Sequence, residues 1–274
     1  MHRRGEVVGT LSEINIYPLK SARGVALQRS NVVATGFEHD RQWLVVNPDG
    51  LFLTQREEPR LCLISAQVDG DDLLLSAPDA GSVRVVVAGD APSIQVRVWG
   101  DSVVASIVSV EADAWLTAYL GAPFRLVKMP QPSVRQVDLD YAEPGDTVGF
   151  ADAFPFLLIT SASLDDLNER LEARGEAALP MNRFRPNLVV DGTGPFAEDG
   201  WRKIAVGDVE FRVRKPCARC AITTVDQQAG VFGKEPLRTL ATYRRVGGKV
   251  MFGQNLIHDG TGELRLGDEV RLIE

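Results

Sequence analysis

A chain of 274 residues with 45% hydrophobic, 24% charged and 7% aromatic residues has the make-up of an ordinary globular protein, which excludes a disordered or collagen-like one. A formal charge of -7 disfavours a surface that binds nucleic acid or another polyanion. Three cysteines are no disulfide framework, no apolar run approaches a membrane span and Met1 to Thr10 lacks the apolar stretch of a signal peptide, so a reducing, cytoplasmic setting without a membrane partner is expected. The length exceeds that of one common domain and points to two packed domains with a sizeable core.

In chain order, Val7 to Ile16 reads as a strand, broken by the polar loop Tyr17 to Gly24, in which Lys20 and Ser21 stand. Val25 to Thr35 reads as a second strand. Gly36 to Asp40 is a turn, and Arg41 to Val46 a third strand with Arg41 at its mouth. Short strands continue through Leu61 to Val68, Asp72 to Ser76, Val83 to Val87 and Ile94 to Val98, separated by Gly, Pro and Asp turns. That rhythm predicts a barrel or sandwich. Val110 to Leu120 changes period, with Trp115, Leu116, Tyr119 and Leu120 on one helical face and Gly121 as the stop.

After Phe124 to Val127, the Pro-rich, polar passage Met129 to Gly149 marks the domain connection. The second half opens on the apolar strand Phe156 to Ile159. Leu164, Leu167 and Leu171 follow at helical spacing, with Ser163 and Asp166 as a capping-box variant. Arg183 and Arg185 precede the strand Leu188 to Val190. Pro236 occupies an N1 position for a helix through Tyr243, and last strands start from Val250 and Val270.

Chemistry concentrates in Arg214 to Thr224, R-K-P-C-A-R-C-A-I-T-T, which holds two of the three cysteines. It reads as a strand, a loop with Pro216, and a second strand from Ala221. Arg214, Lys215 and Arg219 crowd the thiols, and positive charge favours the thiolate, which is both nucleophile and metal ligand. Four readings stay open on the residues alone. A zinc site would need further ligands from Cys62, His2, His39 and His258, none at finger or ribbon spacing. A thioredoxin-type dithiol needs a helix after the cysteines, where the sequence is β-branched. A third reading is one thiolate on a soft metal inside a cofactor, and a fourth is a pair of buried, inert cysteines. Residues three apart in extended chain point to opposite faces, so one cysteine of the pair is expected to face a shared site.

Lys20, Arg41, Arg183 and Arg185 each suit a solvated surface when taken singly. Together, at loop ends of an acidic protein, they suit an anionic ligand.

The segments Y-P-L-K-S (Tyr17 to Ser21), D-R-Q-W-L-V (Asp40 to Val45), T-Q-R-E-E-P-R-L (Thr54 to Leu61), F-L-L-I-T-S-A-S-L (Phe156 to Leu164), N-R-F-R-P-N (Asn182 to Asn187), C-A-R-C-A-I-T-T-V-D (Cys217 to Asp226) and F-G-Q-N (Phe252 to Asn255) stand in family order over nearly the whole chain. On them the chain resembles the MOSC-domain proteins, in the group with an N-terminal MOSC β-barrel domain that includes the mitochondrial amidoxime-reducing component and its bacterial relatives. The resemblance implies a mainly β fold of β-barrels with a few helices, an N-terminal MOSC β-barrel domain over 5–128 and a MOSC domain over 129–274.

It also implies a molybdenum cofactor, molybdenum on the dithiolene of a pyranopterin, with a protein cysteine as a further ligand. By motif position that ligand, catalytic and metal-binding, is Cys220. Lys20, Ser21, Arg41, Asn182, Arg183, Arg185 and Arg219 are the implied cofactor anchors beside it. The implied activity is a molybdenum-dependent oxidoreductase that reduces N-hydroxylated or N-oxygenated compounds. The alternative is a non-catalytic carrier of molybdenum cofactor or sulfur. The membrane anchor of the mitochondrial members, the ferredoxin domain of some bacterial members and the pyridoxal-phosphate sulfurase domain of other relatives have no counterpart in the sequence. Neither pyridoxal phosphate nor an iron–sulfur cluster is therefore expected in this chain, and electrons are expected from a separate flavoprotein, ferredoxin or cytochrome.

Overall fold

The alternating run Glu6–Ile16 buries Leu11, Ile14 and Ile16 on one face, the pattern of a strand with one side on a core. It lies antiparallel between Leu188–Asp191 and Glu269–Leu272, so the start and end of the chain meet in one sheet. This computed structural model describes residues 5–86, 91–133 and 135–274. The sheet continues from Glu269–Leu272 through Lys203–Val206, Val209–Ala218 and Lys249–Asp259 to Phe156–Thr160, which pairs again with Leu188–Asp191. The circle closes as a seven-strand barrel and leaves no open edge along that path.

One pairing in the circle is parallel, Phe156–Thr160 with Leu188–Asp191, and parallel neighbours need a crossover. The helix Ser161–Glu172 supplies part of it, burying Leu167 and Leu171. Thr160 caps this helix, its hydroxyl accepting from the Ser163 amide at 3.3 Å, so the cap lies three residues before the expected Ser163. Buried Glu198 accounts for the difference. Its carboxylate accepts from the Thr160 and Ser163 hydroxyls at 2.9 Å, and Ser163 is drawn inward.

The barrel interior is apolar, with Leu11, Ile14, Leu158, Val190, Ile204 and Leu256 around an edge-to-face trio in which Phe156 meets Phe37 and Phe211 at 4.9 and 5.2 Å. Gly253 of the F-G-Q-N segment has φ +77°, and a Cβ there would stand 2.8 Å from the Leu158 carbonyl oxygen, so the approach of the two strands requires glycine.

The first half adds a sheet in the order Trp43–Val46, Arg125–Lys128, Asp101–Ile107, Ser93–Val98, and a meander of Ser65–Asp69, Asp72–Ala77 and Gly81–Val85. The helix Val110–Leu120 forms as expected. Ser109 caps it, Gly121 ends it at φ +81°, and Leu116 and Leu120 reach the core of Trp43, Val45, Leu61 and Leu75. The mainly β expectation is borne out, with three α-helices among the described residues. No helix among the described residues is long and apolar enough to cross a membrane.

Several local readings are corrected. Val25 to Thr35 divides into Val25–Leu27, paired with the first strand, and Arg29–Val33, paired with Gly262–Arg265. Leu61 to Val68 begins as the 3-10 turn Pro59–Leu63, where Pro59 starts a turn that Glu58 caps. The expected strand Val83 to Val87 runs over Gly81–Val85, and its end at Val87 lies outside the described residues. Strand Asp101–Ile107, with alternating burial of Val103 and Ala105, was not foreseen. The helix after Pro236 is short, Leu237–Leu240, with Pro236 as its N-cap rather than N1.

Candidate functional site

The loop after the first strand is stitched to the Asp40–Trp43 segment by main-chain bonds. Arg41 N donates to Tyr17 O at 3.0 Å, Trp43 N to Pro18 O at 3.0 Å and Lys20 N to Trp43 O at 2.9 Å. Buried Asp40 accepts from the Tyr17 amide at 2.8 Å, and the Tyr17 hydroxyl donates to Pro186 O at 2.9 Å, joining the two halves. Both the Arg41 and Arg185 guanidinium groups lie over the Tyr17 ring, 4.3 and 4.2 Å from its centroid. Gly24 makes room for this ring, since a Cβ there would stand 2.6 Å from Tyr17 Cε1. Burial pushes the Tyr17 phenol up to about 12, so it stays neutral, and lowers Arg185 to about 10, which leaves it charged at neutral pH.

These groups border a cleft of 310 Å³ between the halves, lined by Lys20, Ser21, Arg41, Arg185, Arg219 and Cys220 among others. Left-handed backbone gathers around it. Ser21, Arg41 and Arg185 have φ of +68°, +47° and +58°, and Trp99, which touches Asp152 of the lining, has φ +55°. Each such non-glycine residue costs about 1–2 kcal/mol, and strain of this kind persists where the surrounding structure imposes it for function.

Asp152 reaches the cleft from the loop before Phe156–Thr160. Its carboxylate takes an ion pair from Lys20, a second from Arg56 at 3.3 Å, and a hydrogen bond from the Trp99 indole at 3.3 Å. Burial alone would raise its pKa, but Lys20 and Arg56 outweigh that and hold the carboxyl well below the usual range. Lys20 itself is buried and also donates to Phe150 O at 2.7 Å. Its burial outweighs the pull of Asp152 and lowers it to about 8.

The loop carrying Asp152 is fastened from beneath by buried Arg135. Its guanidinium donates to Gly149 O at 2.9 Å, Ala151 O, Asp152 O at 3.1 Å and the Asp101 carboxylate at 2.7 Å.

The cysteine segment departs from the expected strand, loop and strand. Strand Val209–Ala218 runs through Pro216 and Cys217, and its register against Lys249–Asp259 shifts between Val213 and Lys215 and again between Pro216 and Ala218. A proline cannot donate to a ladder, and the chain accommodates it with bulges. Cys220 follows as the N-cap of the 3-10 turn Ala221–Thr224, which replaces the expected second strand. Its carbonyl accepts from the Thr223 amide at 3.2 Å and hydroxyl at 3.0 Å, turning the chain locally.

Both Cys217 and Cys220 line the cleft, which corrects the expectation that only one would face it. The bulge at Pro216 and the turn at Cys220 break the alternation on which that expectation rested. Each sulfur accepts from a guanidinium: Cys217 from Arg219 at 2.9 Å, Cys220 from Arg56 at 3.2 Å. Cys62, the third cysteine, is buried away from them, and burial raises its thiol to about 11.

Asn182 and Arg183 are not among the groups lining this cleft. Arg183 is buried and donates to Thr224 O at 3.0 Å and the Asp226 carboxylate at 3.1 Å, securing the exit of the cysteine segment. Asn182 lines a separate polar cavity whose wall includes Tyr17 and Arg185. Sequence reasoning missed Arg56, Asp152, Trp99 and Asn187 as parts of the site. Arg56 and Asn187 stood in the quoted T-Q-R and R-P-N segments, but Asp152 and Trp99 carried no pattern. Asn187 accepts from Arg41 at 2.9 Å and donates to Asn15 O at 3.1 Å, so it ties the Arg41 fork to the first barrel strand.

An anionic, metal-bearing cofactor suits this donor set. Among the described residues no three His, Cys, Asp or Glu side chains gather to hold a metal, so a metal at Cys220 would bring its other ligands with it. Arg219 Nε is buried without a hydrogen-bond partner, a donor left for a ligand. Lys20, Arg41, Arg185 and Arg219 supply positive charge and planar forks for phosphate or carbonyl oxygens, and the Cys220 sulfur suits a soft metal.

The Lys20 ammonium provides a direct check of these electrostatics. Lysine acylation followed by mass spectrometry should place the Lys20 midpoint at about 8, against the ordinary value of 10.5. Asp152→Asn should move it lower still, because the carboxylate favours the ammonium. A midpoint at the ordinary value, or an upward move in the variant, would contradict the burial described.

Two family profiles match the chain, the MOSC N-terminal beta barrel domain over residues 8–123 and the MOSC domain over residues 145–271. The mitochondrial amidoxime-reducing component 1 of Homo sapiens is 37% identical over 97% of this chain and 83% of its own length. That of Mus musculus is 38% identical over 99% and 84%. The molybdenum cofactor sulfurase of Arabidopsis thaliana is 32% identical over 91% of this chain, which spans 33% of that larger protein. With both domains matched in order and relatives of this identity along nearly its whole length, the chain belongs to the MOSC-domain family, in the group that includes the mitochondrial amidoxime-reducing components.

Proposed function

We propose that this protein is a molybdenum-cofactor-dependent reductase of N-hydroxylated compounds such as amidoximes and hydroxylamines. The observation that carries the reading is the convergence of the Cys220 sulfur with Lys20, Arg41, Arg185 and Arg219 in one cleft between the halves. Cys220 would ligate the metal, and the guanidinium groups of Arg41, Arg185 and Arg219 would hold the phosphate and pterin. When bound, the cofactor supplies two-electron redox and oxygen-transfer chemistry that no side chain carries.

The reaction R–NH–OH + 2e⁻ + 2H⁺ → R–NH₂ + H₂O takes its electrons from a separate protein of flavoprotein, ferredoxin or cytochrome type. Its protons must cross the cleft wall. Lys20 Nζ holds a proton at neutral pH and, with its pKa lowered to about 8, can release and regain it. Asp152, held ionised beside it, keeps the ammonium in place by its ion pair rather than taking the proton itself. The names of the relatives support the substrate class. A cytoplasmic location belongs to the same proposal.

The test is metal analysis and pterin fluorescence on protein from a host that makes the cofactor, followed by turnover of an amidoxime with a reduced dye. Molybdenum with pterin and amine formation are expected. Loaded protein that reduces no N-hydroxylated substrate, yet passes its cofactor to an apo-enzyme, would favour the carrier reading.

A further inference from the structure

Arg56 reaches from the first half of the chain into the cleft and touches the cysteine of the second half. Its Nη2 donates to Cys220 Sγ at 3.2 Å and to Asp152 Oδ2 at 3.3 Å, and its Nη1 to Thr54 Oγ1 at 3.4 Å. The guanidinium lies over the Trp99 ring, 4.8 Å from the centroid, and Trp99 is fixed in turn by its own bond to Asp152. Among the described residues Arg56 is the one hydrogen-bond donor to the Cys220 sulfur, whereas Cys217 is served by Arg219.

We infer that Arg56 is a positioning residue for the Cys220 sulfur, which it holds across the interface of the two halves and whose electron donation to a bound metal it sets through an N–H···S hydrogen bond. The inference rests on the proposed molybdenum chemistry and adds to it a residue that controls the metal's potential. A sulfur that accepts a charge-assisted hydrogen bond donates less density to its metal, and the reduced, electron-rich metal is favoured. The geometry needs the arginine fork. One nitrogen serves sulfur and carboxylate together while the plane stacks on indole, and an ammonium cannot do all three.

Asp152 faces Arg56, Lys20 and Trp99, so it orients the fork as well as neutralising it. Burial alone would lower the Arg56 pKa, but the Asp152 carboxylate and the Cys220 sulfur outweigh it and raise it, so Arg56 keeps its charge throughout the physiological range.

The test is a spectroelectrochemical titration of the metal in the unaltered protein, Arg56→Gln, Arg56→Lys and Asp152→Asn, all prepared with cofactor and assayed for molybdenum and pterin. Arg56→Gln should lower the midpoint potential while keeping the metal. Arg56→Lys, which retains the charge and loses the fork, should lower it less. Asp152→Asn, which removes a negative charge beside the site and leaves the Arg56 donor in place, should not lower the potential, and Arg56→Lys serves if Arg56→Gln folds poorly. Unchanged potentials in metal-loaded Arg56 variants would overturn this inference alone. Loss of metal from Arg56→Gln and Arg56→Lys alike would also overturn it, since Arg56 would then be an anchor. Unaltered protein that takes up no molybdenum would defeat both the proposed function and this inference.

Discussion

Cys220→Ser should abolish dye-linked reduction of an amidoxime and lower molybdenum content, whereas Cys217→Ser should keep the metal and lose about tenfold in rate, the lower end of what a change beside a metal ligand costs. Both sulfurs face the cleft, so the difference lies in how each is held. Cys220 caps a turn whose hydroxyl and amide bonds return to its own carbonyl, and the preceding Arg219 amide is bonded to Val250 O at 2.8 Å. A ligand on so constrained a backbone keeps its aim. Cys217 sits in a bulge with its sulfur engaged by Arg219, where it can support that guanidinium but is replaceable by a hydroxyl. Serine at position 220 replaces the thiol by a hydroxyl that does not ionise near neutral pH, so the metal would lose its anionic sulfur donor. Molybdenum content and turnover of both variants decide the matter. Equal loss in the two would refute the assignment and favour a dithiol or shared site.

The largest effect on stability is expected at Arg135. Arg135→Met keeps much of the side-chain volume but strips donors from the carbonyls of Gly149, Ala151 and Asp152 and from the Asp101 carboxylate. A buried acceptor left without its partner costs about 1–3 kcal/mol, and several lose theirs together, so destabilisation of about 3 kcal/mol or more is expected. Solvent reaching the loop relieves part of it, because the Asp101 side chain is half-exposed. Urea unfolding should show a lower midpoint at unchanged slope. The loop that presents Asp152 should loosen with it, and the steadying of Lys20 and Arg56 should weaken in proportion. A midpoint within error of the unaltered protein would mean that these bonds contribute nothing net.

The cation set illustrates how far a one-dimensional reading reaches. Lys20, Arg41, Arg185 and Arg219, expected from motif positions together with the neutral Ser21, line the cleft, while Arg183, two residues before Arg185 and expected on the same grounds, braces the cysteine segment. The two arginines separate because Arg183 ends the 3-10 turn Met181–Arg183, whereas Arg185 takes left-handed φ. The cysteine pair makes the same point. Alternation is valid for regular strand, and it failed where a proline forced a bulge.

By itself the sequence determined what depends on neighbours along the chain. The period-two burial of the first strand, the helical stripe and glycine stop of Val110–Leu120, and the identity of the thiols and cations are all properties of short stretches. Tertiary structure decided the rest. Arg56 meets Cys220 across 164 positions and Lys20 meets Asp152 across 132, and neither contact has a period or a spacing to betray it. Those pairs exist because the barrel brings both ends of the chain into one closed sheet and packs the first half against it. Which charges then face one another is set by the register of strands far apart in sequence, a global condition that no local pattern encodes.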